Sequence, residues 1–341
     1  MNSPQADMAP TSETAGGSGD IEVEVLTEPP AIGPLIAQAA GRGVLPRRRA
    51  QAAELPARRV VLTDQQIDIE RLAAYARVCA LTLRDELPIT YLHVLTFPTQ
   101  IHLLATPDFP LPALGMVHLG NEMTLLRPVH ATEVLTLSSW AQHLRAHRKG
   151  ATVEMVGEVA VEGEPVWRGV STYLAQGASA PGDVSGHDDG DDADDAGDAA
   201  ATAGSAQRPP SDEAVQSTAP TPVDMPTWAR WRCPADLGRR YAAASGDVNP
   251  IHVNKLAARA FGFPSTIAHG MWTHARALAA LEGRHGPTHA VQIEFRKPIV
   301  LPSTVSFRAV SHSVSNSTRH DFAVTDRSAQ RTHMVGSVTS E

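Results

Sequence analysis

The segment Tyr241-Ala-Ala-Ala-Ser245-Gly246-Asp247-Val248-Asn249-Pro250-Ile251-His252-Val253-Asn254 gathers the least ordinary chemistry of this chain into one short stretch. Glycine, proline, aspartate and asparagine favour tight turns, because they adopt or stabilise special backbone angles. The sequence therefore predicts a polar, turn-like segment from Tyr241 to His252. Such a turn would hold the Asp247 carboxylate and the His252 imidazole together, and both groups can carry protons near neutral pH.

Regular structure is predicted on the C-terminal side of this turn. A short helical stretch covers Lys255 to Phe261, and a longer helix runs from His269 to Glu282 with Gly283 as its C-cap. The apolar face of the longer helix consists of Met271, Ala275, Leu278 and Ala279. Alternating residues predict strands around Val291 to Phe295, Val305 to Phe307 and Phe322 to Val324. One helix against an antiparallel sheet is an α+β architecture.

The first part of the chain repeats this plan. Residues 85–90 share the spacing of Asp, Pro and Ile with residues 247–252, and Arg127-Pro128 precedes a strand as Lys297-Pro298 does. In this register Thr90 stands where His252 stands, so the first copy lacks the Asp and His pair. We therefore predict two related halves, with one site per chain.

Composition divides the chain into four segments. Residues 176–225 hold eleven acidic residues and a single Arg, a net charge of −10, which leaves +2 for the remainder of the −8 total. We predict a disordered tail over residues 1–20, a first domain over 21–175, a disordered acidic linker over 176–225 and a second domain over 226–341. A nearly neutral folded body does not favour nucleic-acid binding.

The motif of residues 241–254, with the later His269-Gly270-Met271, resembles the MaoC-like (R)-specific enoyl-CoA hydratases and 3-hydroxyacyl-thioester dehydratases. The hydratase motif of that family reads approximately Y-x-x-x-S-G-D-x-N-P-x-H-x-D. One position departs from it, because Asn254 replaces the final aspartate. The resemblance implies a double hot-dog fold, with a degenerate first repeat over 21–175 and a catalytic repeat over 226–341.

The resemblance also implies reversible syn hydration of trans-2-enoyl thioesters in fatty-acid or lipid metabolism, with CoA or acyl carrier protein as the carrier. Hydration needs a base for the water, a proton for C2 and a donor for the enolate-like oxygen. Asp247 and His252 are expected to hold the water and divide the proton transfers. The backbone N–H of Gly270, at a helix start, is the expected oxyanion donor. By resemblance, Ser245 and Asn249 order the loop or orient the water.

Two other functions remain open at this stage: a hot-dog thioesterase and an acyl-thioester-binding protein without activity. The intact Asp247, His252 and Gly270 favour a lyase over both. A structural role for His252 is the ordinary interpretation of a lone histidine, and only the joint motif outweighs it. His269 is expected to cap or pack the helix start.

No metal and no nucleotide cofactor are expected, because no ligand spacing or phosphate-binding glycine loop is present. Cys79 and Cys233 are expected to be buried thiols. We expect a cytoplasmic protein without membrane insertion, and a homodimer is one of the assemblies that the sequence leaves open.

The halves are also predicted to differ in helix length. The apolar stretch from Phe97 to Ala105 runs into Pro107, Pro110 and Pro112, which should end the first helix early. A helix shorter by roughly five residues would leave about 7 Å beside the site of the second half. The first half is therefore expected to act as a sleeve for medium or long acyl chains.

Overall fold

The computed structural model describes residues 21–35, 54–112, 115–181, 221–314 and 317–340. The predicted tail (1–20) and most of the predicted acidic linker lie outside these residues. The strands are β1 Glu22–Leu26, β2 Arg58–Gln65, β3 Val117–Leu125, β4 Leu135–His147, β5 Gly150–Val161, β6 Glu164–Gln176, β7 Thr227–Cys233, β8 His289–Phe295, β9 Ser303–Val314, β10 Ser317–Asp326 and β11 Thr332–Ser340. The helices are α1 Ile69–Cys79, α2 Ile89–Leu104, α3 Leu237–Ser245, α4 Pro250–Val253, α5 Lys255–Ala260 and α6 Gly270–Ala279.

All the strands join one sheet in the order β1-β2-β4-β5-β6-β3-β8-β11-β10-β9-β7. The order is nearly symmetric about the antiparallel pair β3 and β8, in which Met123 lies opposite Val291. Each half therefore wraps its part of the sheet around one central helix, α2 in the first half and α6 in the second. The predicted α+β double hot-dog fold is confirmed, with the two sheets fused at β3 and β8. Among the described strands, only the pair β1 and β2 is parallel.

The repeat is present, but the predicted register around Asp85 is wrong. Isolated bridges join Glu86 to His130 in the first half and Ile267 to Val300 in the second. The next residues match as well, because Leu87 N–H donates to Val129 O at 2.8 Å and Ala268 N–H to Ile299 O at 2.9 Å. Pro88 thus corresponds to His269 and not to Pro250.

A segment of the second half explains this error. Ala80 caps the C-terminus of α1 and Gly246 caps that of α3, and both capping residues have the left-handed backbone conformation. The first half then reaches its bridge through residues 81–85, whereas the second half inserts residues 247–266, which include α4 and α5. Thr90 is consequently not the counterpart of His252. Both Asp-x-x-Pro stretches are turn signals, and a shared turn composition does not fix a shared position.

The predicted helix lengths are also wrong. Helix α2 has 16 residues and α6 has 10, so the first central helix is the longer one. It starts at Ile89, directly after Pro88, and accommodates Pro98 in its interior. Helix α6 ends at Ala279 with Ala280 as its cap, because residues 280–283 form turns, and Gly283 (φ +74°) lies beyond them. The sleeve therefore cannot rest on a shortened first helix.

The predicted turn at Tyr241 is partly helical. Leu237, Tyr241 and Ala244 recur at helical spacing and are buried, which places residues 237–245 in α3, packed on α1. The larger of two clusters of buried side chains in the described residues spans both halves, and the rings of Tyr75, Tyr91 and Tyr241 meet within it at centroid distances of 5.1 and 6.0 Å. The strands β7 and β11 were not predicted from the sequence. No helix among the described residues is long and apolar enough to cross a bilayer.

Candidate active site

The loop that carries Asp247 begins where α3 ends. Gly246 has φ +83°, a conformation that favours glycine. The backbone N–H of Asp247 donates to Ser245 Oγ at 3.2 Å, and the N–H of Asn249 donates to Asp247 Oδ1 at 3.1 Å. Ser245 and Asp247 thus fix the turn through their own side chains, which limits the directions in which the carboxylate can point.

Helix α4 positions His252. Pro250 is its first residue, and the Asn249 side chain caps it by accepting from the N–H of Ile251 at 3.4 Å. The His252 Nδ1 lies 2.9 Å from the carbonyl oxygen of Ile267. A carbonyl only accepts hydrogen bonds, so Nδ1 carries the proton and Nε2 keeps its lone pair. The imidazole is therefore oriented to accept a proton at Nε2.

Asn254 occupies the position at which the sequence departs from the hydratase motif. Its Oδ1 accepts from the N–H groups of Leu256 at 2.8 Å and Ala257 at 3.2 Å, which caps α5. Asparagine and aspartate are equally good N-caps. The substitution therefore leaves this capping role intact.

His269 completes a cluster with Asp247 and His252, in which the ligand atoms all lie within 4.8 Å of one another. The His269 Nε2–H donates to the backbone oxygen of Asp247 at 3.0 Å and lies 3.8 Å from its Oδ2. The His269 ring stacks on His252 with a centroid distance of 3.7 Å. Its side chain does not cap α6. It packs, as expected, and it also holds the backbone of the loop that carries Asp247.

Burial disfavours the charged forms of both Asp247 and His252. It raises the pKa of Asp247, an effect that the neighbouring His252 and the N–H of Asn249 oppose. Burial also lowers the pKa of His252, against the attraction of Asp247. The protonation of each group therefore depends on the other. Burial and the neighbouring His252 keep the pKa of His269 well below its usual range.

The donor atoms of this cluster decide how well it could hold a metal ion. His269 Nε2 and His252 Nδ1 donate to backbone carbonyls, so the lone pairs left in the cluster are those of His252 Nε2, His269 Nδ1 and the Asp247 carboxylate. The His269 atom that lies 3.8 Å from the carboxylate is the protonated Nε2, which cannot bind a metal ion in this tautomer. Beside the carboxylate only His252 Nε2 then remains, whereas protein zinc sites use three or four protein ligands. The arrangement fits the capture of a water molecule better than it fits a metal ion.

Gly270 is the first residue of α6. A Cβ there would lie 2.8 Å from Cε1 of Phe295, so the glycine lets that ring pack against the helix start. The N–H of the first helical residue has no partner inside its helix. Within the described ranges no backbone acceptor takes it either, so it stays available as a donor.

These residues line a cavity of about 560 Å³. Ser245, Asp247, Asn249, His252 and Gly270 form its second-half side. The first half contributes His93, Phe97, Gln100, Ile101, His118 and Tyr173. The structure thus brings every residue predicted from the motif to one cavity, together with side chains more than 70 residues away in sequence.

Sequence reasoning missed Arg71 and Tyr173. Arg71, on α1, donates from Nε to Ala244 O at 3.0 Å and from Nη2 to Ser245 O at 2.7 Å. It therefore binds the last carbonyls of α3, immediately before the catalytic loop. Tyr173, on β6, lines the cavity and stacks on His118 at 4.4 Å. Neither residue lies in a motif, and no local sequence signal could have identified them.

Comparison with known proteins agrees with this geometry. A profile of the MaoC-like domain family matches residues 208–332. The 3-hydroxyacyl-thioester dehydratase X of Mycobacterium tuberculosis (strain ATCC 25618 / H37Rv) is 35% identical over 280 residues, which are 82% of this chain and 88% of that protein.

Solved structures extend the likeness to the fold. The crystal structure of HtdX from Mycobacterium tuberculosis superposes with a TM-score of 0.64 at 30% identity, over 82% of this chain and 99% of that one. A MaoC-like dehydratase from Phytophthora capsici gives a TM-score of 0.60 at 15% identity, over 83% of this chain and 94% of that one. The second match shows a common fold alone.

Proposed function

The chain belongs to the MaoC-like dehydratases, and from this membership and the cavity we propose that it catalyses the reversible hydration of trans-2-enoyl thioesters to (3R)-hydroxyacyl thioesters. The observation that carries the proposal is the pairing of the Asp247 carboxylate with the lone pair of His252 Nε2 in one cavity. In the reverse direction the enzyme dehydrates 3-hydroxyacyl thioesters, which agrees with the name of its relative from Mycobacterium tuberculosis.

The reaction requires one water molecule between Asp247 and His252. One of the two groups accepts a proton as the water oxygen bonds to C3, and a proton is delivered to C2 as the double-bond electrons move there. The hydroxyl and the proton come from the same side of the substrate, so the addition is syn. The pair gains one proton from the water and gives one to C2, so its total charge is unchanged after each turnover.

Negative charge develops on the thioester oxygen during this reaction, and the N–H of Gly270 is the proposed donor to it. The donor lies at the start of α6, where the helix dipole also favours negative charge. Removal of a comparable donor in other enzymes costs roughly a hundredfold or more in turnover.

The carrier of the acyl group is proposed to be a phosphopantetheine thioester, which both CoA and acyl carrier protein provide. Lys149, Arg296 and Lys297 are exposed and line the cavity, so they mark its opening. Their charges suit the phosphates of such an arm.

The first half is proposed to form the wall of the acyl pocket, while residues 226–341 carry the chemistry. Helix α2 lines the cavity along most of its length, from His93 to Leu104, which is about 17 Å. The sleeve that the sequence predicts is therefore inferred from the length of α2 along the cavity, and not from a shortened helix. Each buried methylene contributes up to about 0.8 kcal/mol, which favours medium and long acyl chains over the four-carbon chain.

The test follows the absorbance of the conjugated double bond while purified protein acts on trans-2-enoyl-CoA substrates of increasing chain length. We expect consumption of the double bond, a (3R)-hydroxyacyl product by chiral chromatography, and a kcat/KM that rises beyond four carbons. Release of free CoA without loss of the double bond would instead identify a thioesterase. A kcat/KM that falls steadily from four carbons would refute the role of the first half.

A further inference from the structure

The first-half side of the cavity is more polar than an alkyl chain requires. Helix α2 presents one stripe of six residues to it: His93, Val94, Phe97, Gln100, Ile101 and Leu104. Four of these are apolar, as expected for a fatty acyl pocket. His93 and Gln100 interrupt the stripe about 10 Å apart along the helix axis.

Both side chains are almost completely buried, with exposed fractions of 4% for His93 and 2% for Gln100. Gln100 Nε2 donates to Thr96 Oγ1 at 3.3 Å, but its Oε1 meets no donor among the described residues. His118 on β3 also lines the cavity, 6.5 Å from His93 between ring centroids, and its Nε2 is likewise unpaired within the described part of the chain. His93, Gln100 and His118 are referred to below as the polar wall.

Buried polar groups are nearly always hydrogen-bonded, because an unmet bond inside a protein costs free energy. Packing alone does not require polarity here, since Phe97 and Ile101 fill neighbouring positions of the same stripe. Nor does the reaction account for it, because Asp247, His252 and Gly270 supply the groups that hydration needs. A polar wall in this place is therefore suited to a partner that enters the cavity.

The wall is electrically neutral at physiological pH. Burial lowers the pKa of His93 to about 4, and burial with the nearby His93 and His274 lowers that of His118 to about 3. A neutral imidazole offers one donor and one acceptor, and a glutamine amide offers both as well. This combination matches a hydroxyl or keto oxygen, whereas a carboxylate would lack a cationic partner at this depth.

We propose that the polar wall binds an oxygen function on the acyl chain, so that the preferred substrates are oxygenated enoyl or hydroxyacyl thioesters. A hydroxyl or keto group along the chain bonds to His93 or Gln100, while Phe97, Ile101 and Leu104 enclose the methylenes on either side. The inference rests on the proposed function, because it concerns the acyl pocket of the same site.

The experiment compares kcat/KM for trans-2-decenoyl-CoA with that for the same thioester bearing one hydroxyl at C6, C7, C8, C9 or C10. Wild-type protein is expected to favour at least one hydroxylated isomer by about tenfold, the equivalent of one good hydrogen bond. His93→Phe and Gln100→Leu are expected to remove that preference, so that kcat/KM for the favoured hydroxylated isomer falls to the value for trans-2-decenoyl-CoA in the same variant.

Gln292→Leu provides the matched control. Gln292 is exposed on β8, bonds to Glu122 and does not line the cavity, so its substitution should leave the preference unchanged. His93→Gln keeps a hydrogen-bonding group and should retain part of the preference, which guards against a variant that simply fails to fold.

Two results would overturn the inference: equal or better use of the unsubstituted chain at every hydroxyl position, or an unchanged preference in both His93→Phe and Gln100→Leu. Hydration of trans-2-butenoyl-CoA separates this failure from that of the proposed function, because the four-carbon chain carries no oxygen beyond its thioester. If that substrate is hydrated and the preference for a hydroxylated chain is absent, the proposed function stands and only the role of the polar wall is refuted.

Discussion

Asp247 and His252 depend on backbone contacts for their chemistry. The Ile267 carbonyl selects the tautomer of His252, and the Asn249 N–H together with Ser245 Oγ sets the turn around Asp247. His269 supports both, by stacking on one residue and bonding to the backbone of the other. The motif predicts both members of the pair, but it does not predict the contacts that His269 makes with them, because Asp247 and His269 lie 22 residues apart in sequence.

Replacing either member of the pair should remove most of the turnover. Asp247→Asn keeps the volume but cannot take up the proton, and His252→Ala removes the imidazole. We expect kcat to fall by on the order of a hundredfold or more in each variant, with little change in melting temperature. Steady-state kinetics and thermal unfolding measure both. Normal folding with near wild-type turnover would refute the assignment.

The pH dependence of kcat/KM should show a single acid limb from this pair. The reaction needs an ionised carboxylate and a neutral imidazole, so activity is lost as pH falls through their pKa values. Burial raises the pKa of Asp247 and lowers that of His252, so the carboxylate step is expected above the ordinary aspartate value of about 3.9 and the imidazole step below the ordinary histidine value of about 6.5. Profiles of the wild type and of residual activity in Asp247→Asn test this, because the substitution removes the carboxylate step. A wild-type profile without an acid limb, or the same limb in Asp247→Asn, would contradict it.

Helices α4 and α5 distinguish the second half of the chain from the first. Both halves keep a helix that ends in the left-handed conformation and a strand bridge before the central helix, but only the second inserts residues 247–266. The start of α6 at Gly270 was predictable to within one residue, since the apolar spacing begins there. The register of the first half was not, because turn-forming residues recur at both places and bridge positions leave no sequence signal.

Arg71 links these elements across the two halves. Its guanidinium binds the carbonyls of Ala244 and Ser245 at the C-terminus of α3. A positive charge there also interacts favourably with the negative end of the helix dipole. Arg71→Met keeps the length of the side chain but loses the donors. We expect kcat to fall about tenfold with KM nearly unchanged, and stability to fall by roughly 1.5–3 kcal/mol.

Arg77→Met is the control for this substitution. Arg77 is exposed in the last turn of the same helix and should tolerate the change in both kinetics and stability. If Arg71→Met lowers the melting temperature but leaves kcat at the wild-type value, Arg71 only packs the helices together and does not position the catalytic loop.

One continuous sheet joins the two halves, and the larger of two clusters of buried side chains in the described residues spans both. The sequence predicted two repeats, but the pairing of β3 with β8 joins segments that are about 170 residues apart and has no local signature. Near this junction lie three histidines, His93 on α2, His118 on β3 and His274 on α6. His93 and His274 occupy the same position in the two central helices, the fifth residue of each.

These histidines should make the folded protein sensitive to acid. Burial lowers the pKa of His93 to about 4, and burial and neighbouring histidines lower those of His118 and His274 to about 3. In the unfolded chain each has a pKa of about 6.5, so the unfolded state binds more protons as pH falls below that value. This contribution to stability is complete above pH ~6.5 and is lost progressively toward pH ~4 for His93 and pH ~3 for His118 and His274. The three together contribute a slope that reaches the order of 4 kcal/mol per pH unit about one unit below pH 6.5.

Urea unfolding between pH 7 and pH 5 measures this pH dependence, and His274→Phe should reduce the slope by about a third. Gln292→Leu, at an exposed side chain of β8 that does not titrate, should leave the slope unchanged. A free energy of unfolding that stays constant over this range, or an equal slope in His274→Phe, would show that the buried histidines do not govern the acid response.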